Sequence, residues 1–370
     1  MGWREPVEVG PLQAMTANLG RVDRLEHTDP EPLTKARMGD SVPPLARFRV
    51  HFTAQEPIRL PEYSGSAWRG LLGHGLRRTA CVTRQPTCTG CLLIQNCVYS
   101  TLFETPDAQG TPGGAPHPFI LAIDPRAPRA LEPDAAFSLD LQLLGAAIQQ
   151  MPYLIHAFGL AGQRGFGRSG GRFTLTAVER EVTLGSEDWQ TVYDATLGRY
   201  EPLETAAPVA PPVPARAHLH LLTPWRLKRD GRRIGARELT AFDIAHALYR
   251  RLRTLAAAHG GDPDTFDHRR LPTDPAALQL EVDWLRWHDW TRYSSRQDAL
   301  MQLGGLIGEV SLAGPALAEL WPALWFGQGV PERAGRDATQ QEQPRHHKLV
   351  STRISTDPTD TDLCPKRLRG

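Results

Sequence analysis

The feature that most limits the fold of this chain is the order in which its hydrophobic period changes between residues 46 and 178. Ala46–Thr53 reads A-R-F-R-V-H-F-T, so Phe48, Val50 and Phe52 alternate with Arg47, Arg49 and His51, the period of a half-buried strand. Ser66–Thr79 switches to helical spacing, with Trp68, Leu71, Leu72 and Leu76 on one face. A Gly/Pro-rich loop, Thr105–His117, leads to two strand-like runs, Pro118–Ile123 and Ala136–Leu144. A helix over Ala146–Gly159, a Gly-rich stretch ending at Arg172 and a strand over Phe173–Val178 complete the series. The order β–α–β–β–α–β is that of a ferredoxin-like domain.

A Pro/Ala-rich stretch, Pro202–Pro214, reads as a linker. Beyond it the series starts again. Ala217–Leu222 reads as a strand and Thr240–His259 as a long helix, with Thr240 and Asp243 as its capping pair and Phe242, Ala245, Leu248, Leu252 and Leu255 as its buried stripe. Leu280–Trp290 and Leu306–Leu312 are strand-like, and Ala316–Trp325 is a short helix. The expected architecture is therefore α+β: tandem ferredoxin-like (RRM-like) domains over residues 45–200 and 217–330, joined by a linker at 201–216. Residues 1–44, broken by Pro30, Pro32, Pro43 and Pro44, are expected to form a disordered tail, within which Met38 is a candidate start. Residues 331–370, with P-R-H-H-K and T-D-P-T-D-T-D, are expected to be irregular because they carry no apolar face.

Composition removes some function classes and leaves others. No apolar run reaches the roughly 18 residues of a membrane span, and the start lacks the layout of a signal peptide, so a cytoplasmic chain with reduced thiols is expected. The net charge of +1 argues neither for nor against nucleic acid; local clustering has to decide.

Several phrases, in this order, resemble the Cas6 family of CRISPR repeat-RNA processing endoribonucleases, within the RAMP superfamily. They are S-G-S-A-W-R-G-L-L-G-H-G-L-R-R from Ser64, the Gly-rich run Gly162–Arg172, L-T-P-W-R-L-K-R-D-G-R from Leu222, R-W-H-D-W-T-R-Y-S-S-R-Q from Arg286, and L-G-G-L-I-G-E-V from Leu303. The resemblance spans residues 46–330. It implies tandem RAMP domains and a CRISPR repeat RNA as substrate, with other CRISPR effector subunits as further partners and no membrane. It also implies cleavage without a catalytic metal: the ribose 2′-hydroxyl attacks the adjacent phosphate, leaving a 2′,3′-cyclic phosphate and a 5′-hydroxyl. The chain departs from the family at its end, where a Gly-rich loop and a final strand are usual. Here only Gly327, Gly329 and Gly335 remain of the loop.

Such cleavage needs a base, an acid and cations for the phosphorane. His74 is the first candidate. Its helical position points away from the apolar stripe, and Arg77 and Arg78 follow at three and four residues. Three glycines in that one helix, Gly70, Gly73 and Gly75, point to close packing or a ligand. Tyr293 and Arg296 are further catalytic candidates, in a polar loop expected over Arg292–Gln297, with Arg292, Ser294 and Ser295 as RNA contacts. His288 reads as a strand residue. Arg226 and Lys228 begin a basic hairpin around Asp230-Gly231, suited to a phosphate backbone. Arg69, Arg77, Arg78, Arg164, Arg168 and Arg172 are the remaining RNA-binding candidates, the last three beside glycines whose bare N–H groups can cradle an anion. Each of these also has a bland reading as a solvated or ion-paired surface residue.

Cys81, Cys88, Cys91 and Cys97 are separated by six, two and five residues. The central C-x-x-C has the spacing of a metal knuckle inserted in the first domain, with structural zinc expected and an iron–sulfur cluster as the alternative. Cys364 stands alone. Two other functions remain open: a non-catalytic RNA-binding RAMP subunit of a CRISPR effector complex, and a zinc-stabilised protein-interaction module.

Overall fold

The structure is a computed structural model that describes residues 41–61, 64–108, 110, 113–124, 127–166, 170–272, 274–294, 299–329 and 352–355, with the backbone alone at Thr223 and over 290–294, 299–303 and 352–355. Strand β1 (Leu45–Ala54) runs through the middle of the first sheet. Phe48, Val50 and Phe52 are fully buried, and the alternate residues Arg47 and Arg49 meet Asp140 at 2.8 and 3.0 Å on the opposite face. After β1 come helix α1 (Gly65–Ala80), strands β2 (Phe119–Ala122) and β3 (Ala136–Leu144), helix α2 (Met151–Arg164) and strand β4 (Phe173–Glu181). The hairpin strands β5 (Trp189–Asp194) and β6 (Arg199–Tyr200) extend the sheet to the order β2-β3-β1-β4-β5-β6. Every pairing in it is antiparallel.

Both helices close over one aromatic core. Trp68 of α1, Phe158 of α2 and Phe173 of β4 lie 5.3, 5.6 and 5.1 Å from the Phe52 ring. The expected stripe of Trp68, Leu71, Leu72 and Leu76 is buried. Of the three glycines inside α1, after its first residue Gly65, Gly70 faces open space, Gly73 faces the Phe103 ring and Gly75 faces backbone of α2. Two of the three therefore answer to packing.

The second half repeats the plan. Strand β7 (Arg216–Trp225), helix α3 (Ala241–His259), strands β8 (Gln279–Ser294) and β9 (Ala299–Ala313), helix α4 (Leu317–Gly327) and strand β10 (Thr352–Ser355) form an antiparallel sheet of order β8-β9-β7-β10. In both sheets the chain's first strand lies between its third and its fourth. The mixed helix-and-sheet halves thus fit the ferredoxin-like order loosely, with additions. Thr240 caps α3 as expected, its hydroxyl accepting from Asp243 N while the Asp243 carboxylate accepts from Thr240 N. Coil residues 201–214 are tied to both halves: Arg180 donates to Thr205 Oγ1 at 2.8 Å, and Trp321 Nε1 donates to Pro211 O at 2.8 Å.

Three expectations are corrected. The tail expected to be irregular from residue 331 contains β10, whose Ile354 pairs with Leu219 of β7 and restores the fourth strand. At the other end, Met38 lies outside the described residues, but Ser41–Pro44 are docked rather than disordered: Val42 is buried in the second core and Asp262 N donates to Ser41 O at 3.1 Å. In α3, Phe242 is 42% exposed, and the buried stripe is carried by Ala241, Ile244, Ala245, Leu252 and Leu255. The true stripe is rotated by a residue or two because Ile244 and Tyr249 also face inward. Among the described residues no helix is long and apolar enough to cross a membrane.

Candidate active site

Because α1 buries its Trp68–Leu76 stripe, His74 is left on its exposed side. Helix α2 passes close to α1 at Gly75, and its last residue is Arg164. Partial burial, then the charges of Arg164 and Arg77, hold the His74 imidazole below its ordinary pKa of 6.5. The ring is therefore neutral at neutral pH, the state in which it accepts a proton. Two segments some ninety residues apart in sequence meet here to give an imidazole beside fixed positive charge.

The arginines expected around it divide. Arg78 and Arg164 are exposed. Arg77 is engaged by the cysteine loop, donating to Gln85 O and, at 2.8 Å, to Pro86 O, with its guanidinium 5.5 Å from the Tyr99 ring centroid. Arg69 lies over the Phe103 and Phe119 rings at 4.8 and 4.7 Å. Arg172 is paired with Glu56 at 2.6 Å and also donates its backbone N–H to that carboxylate. Arg168 lies outside the described residues. The Gly-rich run is pinned at both ends. Phe166 is buried against Trp68 at 4.5 Å, and its N–H donates to Gly171 O at 3.0 Å.

The basic hairpin is built as expected around Asp230 and Gly231, both at positive φ (50° and 78°), between the paired arms Lys228–Arg229 and Arg232–Arg233. Two of its cations are paired with acids of the chain itself. Arg229 holds Asp243, the carboxylate partner of Thr240 in the α3 cap, and donates to Glu238 O at 2.9 Å; Arg232 meets Glu238 at 2.5 Å. Burial pushes the Asp243 carboxyl up, but hydrogen bonds from Arg229 and Thr240 outweigh it and hold the group below the usual carboxylate range. Arg226 Nε donates to Gly304 O at 3.0 Å, and Lys228 is half-buried.

The loop expected over Arg292–Gln297 is shorter. Strand β8 continues to Ser294, and Arg292, Tyr293 and Ser294 pair with Met301, Leu300 and Ala299 of β9. Their side chains, and all of Ser295 and Arg296, lie outside the described residues, so Tyr293 and Arg296 are not brought to His74 by any described contact.

Cys81, Cys88, Cys91 and Cys97 line one small cavity, closed by Thr83, Thr87, Leu93 and Ile94. Cys91 N donates to Cys88 O at 3.1 Å around Gly90, which has φ 75°, the tight turn that C-x-x-C requires. The Thr83 hydroxyl stands between Cys81 and Cys91, 3.9 and 3.6 Å from their sulfurs. Burial, then the negative charge of Glu104, pushes the Cys88 thiol up to about 11. The cavity gathers the four residues. Among the described residues, however, no three His, Cys, Asp or Glu side chains are arranged to hold an ion.

Residues 219–330 match the family described as CRISPR-associated endoribonuclease Cas6. Residues 42–205 match a separate family described as the AF_1859 N-terminal domain. An uncharacterized protein of Archaeoglobus fulgidus is 24% identical over 144 residues, 38% of this chain, which spans about half (49%) of that relative's length. Among solved structures, a Cas6 product complex is 18% identical with TM-score 0.39, covering 77% of this chain and 91% of that one. Thermus thermophilus Cas6 is 16% identical with TM-score 0.37, covering 78% and 90%. A structure described as an RAMP protein binding different RNA substrates is 14% identical with TM-score 0.30, covering 74% and 90%.

The fold also assembles polar groups that the sequence reading passed over. On the face of the second sheet opposite its helices, Ser311 Oγ lies 2.9 Å from His218 Nδ1 and 3.4 Å from Asp283 Oδ2, and Glu309 approaches His220 at 3.7 Å. These are not a hydrolase triad, because the carboxylate meets the serine rather than the histidine. The H-x-H alternation of His218 and His220 in β7 was the available signal.

Proposed function

We propose that this chain acts as a Cas6-type endoribonuclease, cleaving CRISPR repeat RNA by internal transesterification with His74 as the proton acceptor; the match of residues 219–330 supports the reading. The observation that carries the reading is the neutral, exposed His74 imidazole held beside Arg164 and Arg77. His74 takes the proton of the ribose 2′-hydroxyl, the 2′-oxygen bonds to phosphorus, and the bond from phosphorus to the 5′-oxygen breaks. Arg164 and Arg78 supply charge for the phosphorane. A second group must protonate the leaving 5′-oxygen, and Tyr293 and Arg296 are the candidates for that end of the reaction. In this reading Cys81, Cys88, Cys91 and Cys97 hold a structural zinc ion or an iron–sulfur cluster. Their common cavity supports it, and a local closing of the loop past Thr83 is needed to bring the sulfurs together.

The test is single-turnover cleavage of labelled repeat RNA in EDTA. The wild type is expected to leave a cyclic phosphate. His74→Ala is expected to cut about 10²-fold more slowly or worse, with RNA affinity nearly intact. A strict magnesium requirement overturns the mechanism, and an unchanged rate in the variant removes His74 from it. RNA binding without any cleavage by the wild type moves the chain to the non-catalytic RAMP subunit reading.

A further inference from the structure

Phe242, expected in the core, instead stands 42% exposed near the start of α3. Its ring stacks on His246 at 5.6 Å with 28° between the planes, and His246 meets the His268 ring edge-on at 4.6 Å. Phe242, His246 and Arg250 are spaced by four residues, so they form one outward stripe on the helix. The 3-10 turn His268–Arg270 lies alongside and adds Arg270. Neighbouring acids are already matched: Asp243 by Arg229, Asp264 by Arg253 at 3.0 Å and Asp267 by Arg269 at 2.8 Å. Arg250 and Arg270 are exposed, and among the described residues neither has a carboxylate partner. The patch therefore combines an aromatic ladder with uncompensated positive charge.

We propose that this stripe of α3 is a second RNA-contacting surface, separate from the His74 region, that takes unpaired nucleotides. A base stacks on Phe242 and His246, and the flanking phosphates meet Arg250 and Arg270. Stacking on rings beside arginine is how single-stranded RNA is gripped without a demand for sequence. Burial first, then His268 and Arg250, keep the His246 imidazole below its ordinary pKa, so at neutral pH it offers an uncharged ring face.

This inference rests on the RNA-binding reading above, and the experiment separates the two. Full-length protein is titrated into a fluorescein-labelled single-stranded 12-nucleotide RNA of mixed uridine and adenine. Phe242→Ala with His246→Ala is expected to weaken binding by about 5- to 100-fold, the range for loss of a stacked base. Arg250→Ala with Arg270→Ala is expected to weaken it and flatten its salt dependence. His246→Phe, which keeps a ring, is expected to retain wild-type affinity. All of these are surface changes, and melting temperatures check that they stay folded. Wild-type affinity in both folded double variants overturns the second surface and leaves the His74 reading standing. No RNA binding by the wild type overturns both.

Discussion

Gly75 of α1 sits so close to the carbonyl oxygen of Ala157 in α2 that a Cβ added there would lie 2.3 Å from it. The opposing atoms are backbone and cannot rotate aside. This contact sets how near the two helices run and so carries Arg164, at the end of α2, to His74.

Gly75→Ala should therefore force the helices apart. Stability is expected to fall by about 1–3 kcal/mol, the usual cost of overpacking, and cleavage should fall further than stability explains. Urea unfolding and single-turnover cleavage on the same preparation check this. A variant with wild-type stability would mean that the helices do not pack as closely as stated.

The depressed pKa of His74 has a sign that can be read in kinetics. As a base the imidazole works unprotonated, so cleavage should be lost as the pH falls through a value below 6.5. Arg164→Ala removes one of the charges that disfavour protonation. Its acid limb should move up toward 6.5, and the rate at low pH should drop more than the rate at pH 8. A pH–rate profile of both proteins, with the His74 ring followed by NMR, decides it. An unmoved limb would show that Arg164 does not act on this ring.

Truncation after Gly329 removes β10, whose Thr352–Ser355 covers the edge of β7. A loss of about 1–2 kcal/mol is expected, which lowers Tm by about 2–8 °C in a chain of this size. Differential scanning calorimetry is the measurement. An unchanged Tm would show that the strand contributes nothing to the second sheet.

Freshly purified protein made without chelators should contain about one zinc per chain, or the colour of an iron–sulfur cluster. Cys88→Ser with Cys91→Ser should lower both metal content and Tm. The loop has little else to hold it, since Val82 and Leu92 are 74% and 96% exposed. Arg77 ties this loop to the helix that bears His74, so the variant should also slow cleavage. Metal analysis showing only traces of zinc and iron would leave four ordinary thiols.

What the sequence determined by itself was whatever depends on neighbours along the chain. Strand β3 was legible from its alternation from Ala136 to Leu144, and α3 from the Thr240–Asp243 cap, because period and capping are local. His74 could be seen to face away from the apolar stripe for the same reason. What only the tertiary structure decided were matters of long-range pairing. It set Arg164 beside His74, matched Arg172 to Glu56 and Arg229 to Asp243, and thereby removed two arginines from the pool that local charge had offered to RNA. It turned Phe242 outward, since helical spacing alone does not tell which of two adjoining stripes meets the sheet. It also found β10 in a tail without alternation, where pairing along β7 supplies the hydrogen bonds that no local pattern announces.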